Sequence, residues 1–173
     1  MRALRKRLAE TTPDAAMRAA SFSDDLPLGQ TVAVYRAVGA EFDPEPLANA
    51  LTLAGRSLCL PVAIERDAAL IFRRWSPGEP LEMDVAGCPA PLLLAEVVVP
   101  DLIVTPLLAF DDAGGRLGQG GGYYDRTFAA MPDAIRIGLA YAGQLVERLE
   151  MLPHDVPLHG VLTEVGYTPA RKV

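Results

Sequence analysis

Gly118, Gly120, Gly121 and Gly122 put four glycines into five positions, between an apolar run from Leu102 to Phe110 and a helix-like run from Tyr123 to Met131. That order predicts a strand, a glycine loop and a helix start, and so constrains the chain to an α/β fold. Such a loop exposes successive backbone N–H groups at a helix N-terminus, the arrangement that cradles phosphate. Side chains there would block close approach, and several of the torsions call for positive φ. Arg116 adds a fixed cation, and Asp125 adds an oxygen ligand suited to a phosphate-borne Mg²⁺. The competing reading is a plain surface loop, with Asp125 favourable only as a charge in a first helical turn.

Two familiar phosphate motifs are excluded. A P-loop needs Gly-Lys followed by Ser or Thr, and Gly122 is followed by Tyr123. A dinucleotide fingerprint counted from Gly118 needs a third glycine where Tyr123 stands.

The rest of the chain fits an α/β order. Arg2 to Glu10 reads as a short helix with Leu4 and Leu8 on one face, and Thr12-Pro13-Asp14 restarts a second helix that runs to about Phe22. Asp24 to Gly29 is a linker. Thr31 to Tyr35 is β-rich, Asp43-Pro44-Glu45 opens a helix that Gly55 ends, and Ser57 to Val62 follows as a strand. That βαβ unit implies a parallel pair. Ala69 to Arg74 reads as a strand, and residues 84–91 as a Gly/Pro loop. Leu102 to Leu108 reads as a central strand with Pro106 at its end or at a bulge. After the glycine loop and its helix come a strand at Ile135–Ala140, a short helix at Gln144–Leu149 and a final strand at Val161–Val165.

With 173 residues, half of them hydrophobic and 22% charged, this is one domain with a real core. Residues 1–28 form a basic helical segment and linker, and residues 29–173 the α/β core. No apolar run reaches membrane-spanning length. A net charge of −6 argues against a nucleic-acid surface. An enzyme for anions must then gather positive charge locally. Residues 1–18 do so, with Arg2, Arg5, Lys6, Arg7 and Arg18 against Glu10 and Asp14. The simpler account of that cluster is a solvated amphipathic helix. Cys59 and Cys88 lack metal-ligand spacing and read as buried or incidental thiols of a reducing cytoplasm.

Pro106 to Asp111, Gly115 to Gly118 and Gly120 to Arg126 together resemble the signature of the 5-formyltetrahydrofolate cyclo-ligase (5,10-methenyltetrahydrofolate synthetase) family. The likeness extends upstream to Glu41-Phe42-Asp43 and Leu58-Cys59-Leu60-Pro61. Downstream it reaches Ile137 to Tyr141, Gln144-Leu145-Val146, His154 to Leu158 and Thr163-Glu164. It implies a single-domain three-layer α/β/α sandwich with a mainly parallel central sheet, similar to the sugar-phosphate isomerase and CoA-transferase group.

The implied reaction is ATP-dependent closure of 5-formyltetrahydrofolate to 5,10-methenyltetrahydrofolate, with ADP and phosphate released through a phosphorylated formyl intermediate. Such chemistry needs alignment and charge neutralisation, and no protein nucleophile. The resemblance implies that Arg2, Ala3, Leu4 and Arg5, with Arg116, Leu117, Gly118, Gln119, Gly120, Gly121, Gly122, Tyr123 and Tyr124, line ATP. Arg36, Glu41 and Gln119 to Tyr123 would meet the folate. Arg116, Gly120 and Tyr123 would act in catalysis, and Asp125 and Asp155 would hold Mg²⁺. Phe72 and Trp75 are candidates for ring stacking, although aromatics at strand spacing more often belong to a core.

Three positions depart from the family pattern: Met1 stands where a lysine is usual, Ala90-Pro91 replaces a Glu-Pro pair, and Gln119 an aromatic or basic residue. The expected partners are a reduced folate and ATP, with no nucleic acid and no membrane, and the expected state is a monomer. A binding paralogue with little turnover is the alternative.

Overall fold

A computed structural model describes residues 1–152 and 155–171. The chain opens with helices α1 (Arg2–Thr11) and α2 (Ala15–Ala20), then strand β1 (Thr31–Ala33), helix α3 (Glu45–Leu53) and strand β2 (Ser57–Val62). The middle is β-rich: β3 (Ile71–Arg74), β4 (Leu81–Met83), β5 (Pro89–Pro91), β6 (Val97–Val98), β7 (Leu102–Pro106), β8 (Ala109–Phe110) and β9 (Arg116–Leu117). Helix α4 (Tyr123–Ala130) and strands β10 (Ile135–Leu139), β11 (Gly160–Thr163) and β12 (Gly166–Pro169) complete it.

Eight strands form one sheet in the order β12-β11-β10-β7-β1-β2-β3-β6. The five from β11 to β2 are parallel, and β12, β3 and β6 are antiparallel at the two ends. Strand alternation sorts the side chains. Val32, Leu58, Leu60, Leu102, Val104, Ile137 and Leu139 join Leu47 and Leu51 of α3 and Ala15 and Ala19 of α2 in one buried cluster. Their neighbours Ala33, Cys59, Ile103 and Val161 join Phe72, Leu107 and Phe128 of α4 in another. Both faces of the sheet are thus covered, as parallel strands require.

Local chemistry sets the boundaries. Asp43 Oδ1 accepts the Glu45 N–H at 3.0 Å where α3 begins. Gly55, at φ +79°, ends that helix in a left-handed turn, with the Arg56 N–H donating back to Leu51 O at 3.0 Å. Pro106 closes β7, where its missing donor costs the ladder least.

Three expectations are corrected. Residues 84–91 are not an open loop, because β4 and β5 pair as a hairpin. Its turn is organised by Asp84, which accepts Ala86 and Cys88 N–H on Oδ1 at 2.9 Å each and Ala63 N–H on Oδ2 at 2.8 Å. The expected helix at Gln144–Leu149 is a single 3-10 turn, Ala142–Gln144. Gln144 is fully buried there, accepting the Tyr141 N–H and donating to Leu107 O, both at 2.9 Å. Lastly, β11 ends at Thr163 and turns back as β12.

The second helix is also shorter than expected, ending at Ala20. No described helix is long and apolar enough to cross a membrane.

Strand β1 lies between β2 and β7, so the chain leaves it toward opposite ends of the sheet. Such a switch point opens a crevice beyond the carboxyl ends of the strands.

Candidate active site

That crevice is a cavity of about 490 Å³. Tyr35, Arg36, Val38 and Glu41 line it from the segment after β1, Pro61 and Ala63 from the end of β2, and Pro106 from the end of β7. Gly118 to Tyr124 form a further wall. The turn from Asp84 to Pro89 adds another, which the sequence did not single out and whose one signal was its Gly/Pro content.

The glycine loop joins β9 to α4. Gly120 and Gly122 sit at φ +92° and +65°, torsions that only glycine adopts readily. Gly118 is small for another reason. A Cβ there would lie 2.8 Å from Arg116 Nη1, because the Arg116 side chain lies under the loop. Arg116 Nη2 donates to Asp125 Oδ1 at 2.6 Å, and its guanidinium stands 5.8 and 5.6 Å from the Tyr124 and Phe128 rings. Arg126 secures the far side, donating from Nη2 to Gly121 O at 2.8 Å and from Nε to Ala68 O at 3.1 Å.

Glu41 is held otherwise. Its Oε2 accepts the Val38 N–H at 3.0 Å, and its Oε1 accepts Gln119 Nε2 at 2.8 Å across the cavity mouth. Arg5 Nη1 lies 3.8 Å from the same Oε1. Neighbouring phenols stay neutral. Burial first, then the Glu41 charge, raises the Tyr35 and Tyr124 hydroxyls well above their ordinary value. Tyr35 donates its proton to Phe42 O at 2.6 Å.

Glu41, Arg36, Arg2, Arg116 and Gly118 to Tyr124 therefore share one cavity. Others fall elsewhere. Arg5 is buried at 6% exposure and does not line the cavity, which corrects its solvated reading. Ala3 is exposed and Leu4 half-buried, also outside the cavity wall, as is Leu117. Arg36 Nη1 is 3.2 Å from Glu45 Oε2, and its guanidinium lies 5.7 Å from the Trp75 ring. Phe72 and Trp75 are core residues at 1% and 3% exposure and line no part of the cavity.

The two expected metal carboxylates do not meet in that cavity. Asp125 faces Arg116, whereas Asp155 accepts the Leu152 N–H at 2.8 Å and borders a second, wider cleft with Asp111, Gly115 and His159. Among the described residues no group of three or more His, Cys, Asp or Glu side chains could hold a metal ion. His154 lies outside the described residues. The donors present do not fit a metal cage built by the protein. One carboxylate of Asp125's kind suits only a Mg²⁺ that arrives on a phosphate.

The sequence model of the 5-formyltetrahydrofolate cyclo-ligase family matches residues 2–164. The chain is 37% identical over 147 residues to the 5-formyltetrahydrofolate cyclo-ligase of Escherichia coli K12, covering 79% of each chain. It is 37% identical over 144 residues to that of Mycolicibacterium smegmatis, covering 78% of this chain and 74% of the relative. The solution structure of Aquifex aeolicus 5,10-methenyltetrahydrofolate synthetase superposes with a TM-score of 0.77 at 28% identity, over 98% of this chain and 92% of that one. With its cavity at the switch point and its glycine loop in the wall, the chain belongs to the 5-formyltetrahydrofolate cyclo-ligase family.

Proposed function

We propose that this cavity is where the chain carries out its reaction, the ATP-dependent conversion of 5-formyltetrahydrofolate to 5,10-methenyltetrahydrofolate. One observation carries the reading: an acceptor carboxylate, Glu41, and a phosphate-type glycine loop face each other across a single cavity, bridged at 2.8 Å by Gln119. The pterin's amide-like edge presents paired N–H donors, which a carboxylate accepts. Glu41 binds that edge, and the backbone N–H groups of Gly118 to Tyr124 receive the phosphates. Arg2 supplies the cation at the cavity wall, in a chain whose net charge is −6.

The formyl oxygen attacks the γ-phosphorus, and the bond from phosphorus to the ADP oxygen breaks. The resulting phosphorylated iminium carbon is open to N10, which attacks it and closes the ring; the N10 proton passes to the departing phosphate as the C–O bond breaks. Arg116 and the loop neutralise the charge that spreads over the transferred group. Tyr123 and Gly120 keep the oxygen in line with phosphorus. Mg²⁺ carried on the nucleotide would neutralise phosphate charge, with Asp125, on the helix that the glycine loop leads into, to hold it; Asp155 would reach it only from the neighbouring cleft.

The reading includes a three-layer arrangement, supported by α1–α3 on one sheet face and α4 on the other, similar to the sugar-phosphate isomerase and CoA-transferase group. It also includes a monomer in a reducing cytoplasm, in keeping with two free cysteines. Incubation with 5-formyltetrahydrofolate, ATP and Mg²⁺ tests the activity: the methenyl chromophore rises with one ADP formed per turnover. Binding of both substrates without that chromophore would instead favour a paralogue that does not turn over.

A further inference from the structure

We infer that Arg126 is a positioning residue of the nucleotide site: it fixes the Gly121–Gly122 peptide so that its N–H, and not its carbonyl, faces the cavity. The inference rests on the reading of the glycine loop as the place where the phosphates are received.

The Gly121–Gly122 peptide has a glycine on each side. A flip of its plane changes ψ of Gly121 and φ of Gly122, and glycines tolerate either setting. The two settings are chemically opposite. A trans peptide carries its C=O and N–H on opposite edges, so one setting offers a phosphate a donor and the other a repelling carbonyl oxygen. Something outside the loop must therefore choose between them.

The contacts of Arg126 make that choice. Its Nη2 donates to Gly121 O at 2.8 Å, and its backbone N–H donates to Gly122 O at 3.1 Å. Both carbonyls thus turn toward Arg126, which does not line the cavity, whereas Gly121, Gly122 and Tyr123 do. The N–H groups of Gly122 and Tyr123 lie on the opposite edges of those two peptides, and donate to no acceptor among the described residues. Among the described residues no other side chain donates to a carbonyl from Gly118 to Gly122.

The guanidinium is itself anchored. Its Nε donates to Ala68 O at 3.1 Å, in the connection from β2 to β3, and its centre lies 5.3 Å from the Tyr123 ring. Thr127, next on α4, adds a second tie to that connection. Its Oγ1 accepts the Leu70 N–H at 2.9 Å and donates to Tyr123 O at 2.7 Å. A Cβ on Gly122 would stand 2.6 Å from Arg126 Nη1, so the guanidinium packs directly against the peptide it holds. Without Arg126 the receptive setting is only partly populated, and apparent nucleotide affinity falls by that fraction.

The test is binding of a non-hydrolysable ATP analogue, with steady-state kinetics, on the wild type, Arg126→Ala and Arg126→Lys. Arg126→Ala should weaken the analogue about tenfold and raise the ATP KM by a similar factor. Its kcat should fall far less than kcat/KM, because saturating nucleotide selects the same loop. Arg126→Lys, which can still donate to Gly121 O, should recover most of the loss. The ratio of wild-type to Arg126→Ala affinity should hold from low to high salt, since the bond lost is to a neutral carbonyl. In amide NMR spectra, saturating analogue should bring the Gly122 N–H to the same position in both proteins.

If Arg126→Ala does not fold, Arg126→Met, which keeps the aliphatic stem, answers the same question. Unchanged analogue affinity would overturn the inference. So would a ratio that collapses in high salt, which makes Arg126 a direct phosphate contact, or a kcat that falls as far as kcat/KM. If the analogue moves none of the Gly120 to Gly122 amides in the wild type, the reading of the loop itself fails, and the inference falls with it.

Discussion

Glu41 and Asp125 are both carboxylates backed by an arginine, yet they are held in opposite ways. Asp125 makes one tight contact, 2.6 Å to Arg116, on a side chain that is 22% exposed. Glu41 is nearly buried at 7%, is 3.8 Å from its arginine, and takes its close contacts from a backbone N–H and a side-chain amide. A carboxylate has roughly four acceptor sites. Neutral donors on two of them leave Glu41 with room for a ligand. A short charge-assisted bond at the part-buried site instead ties Arg116 and Asp125 into one unit, and that bond must loosen before either meets a phosphate or a cation. Proximity of opposite charges is therefore a poor guide to availability.

Removing one side of the tight pair should have the largest effect. Arg116→Ala leaves a partly buried carboxylate alone, and should cost about 3 kcal/mol or more in denaturant unfolding while abolishing turnover. Wild-type unfolding would mean that the pair is in effect a surface pair. Asp125→Asn keeps an acceptor for Arg116 but loses the charge. It should lower turnover and raise the Mg²⁺ needed for half-maximal rate about tenfold, a difference of about 1.4 kcal/mol; an unchanged magnesium titration removes Asp125 from the ion. Gln119→Ala deletes one solvent-exposed hydrogen bond from Glu41, worth about 0.5–1.5 kcal/mol. Folate KM should change only a few-fold, and a change as large as that of Glu41→Gln would make Gln119 a principal folate ligand.

The smallest effect concerns Arg136, which pairs with no carboxylate among the described residues. Arg136 donates to Pro157 O at 3.0 Å and to Pro132 O at 3.1 Å, and its backbone N–H donates to His159 Nδ1 at 3.0 Å. Burial first, and the Arg136 charge second, hold the His159 ring below the ordinary 6.5. As pH falls through 6.5 the unfolded chain takes up the proton first, so stability present above that value declines on the acid side. His159→Gln should flatten this shallow slope in thermal melts between pH 7.5 and 5, and a slope that persists would assign it to other groups.

Much of the fold was legible because local chemistry and tertiary need agree. Ser57–Val62 has the bounds expected from Gly55 before it and the β-rich run itself, and Tyr123 starts α4 where the glycines end. The failures share one cause. Pro89-Ala90-Pro91 has the wrong propensity for a strand, and pairs with β4 because Asp84 collects three backbone N–H groups, two from the turn and one from Ala63 just past β2. Gln144 leaves a helical pattern because Leu107 O and the Tyr141 N–H claim its amide. In the cavity, the glycine loop and Glu41 could be read as motifs. Arg5, beside the cavity, was named only through the family resemblance, because a cation on an amphipathic helix by itself reads as solvated unless its distant partners, Leu107 and Glu41, are known to cover it. The Asp84–Pro89 wall carried only turn residues, which mark a bend and say nothing of what it encloses.

The ladder at the switch point pairs Val32 with Leu102 and Ala33 with Ile103, positions some 70 residues apart in the chain. No early hairpin or single helix can supply the walls of this cavity. They come together only when the most distant pairing at the centre of the sheet has closed, which loop entropy makes a late event in folding. A ligand seated there has no partly folded species to bind, so its free energy adds to the whole cooperative unit. Saturating folate should accordingly slow hydrogen exchange throughout β1, β7 and β10 as well as in the glycine loop, so that occupancy sets how long the entire chain stays native.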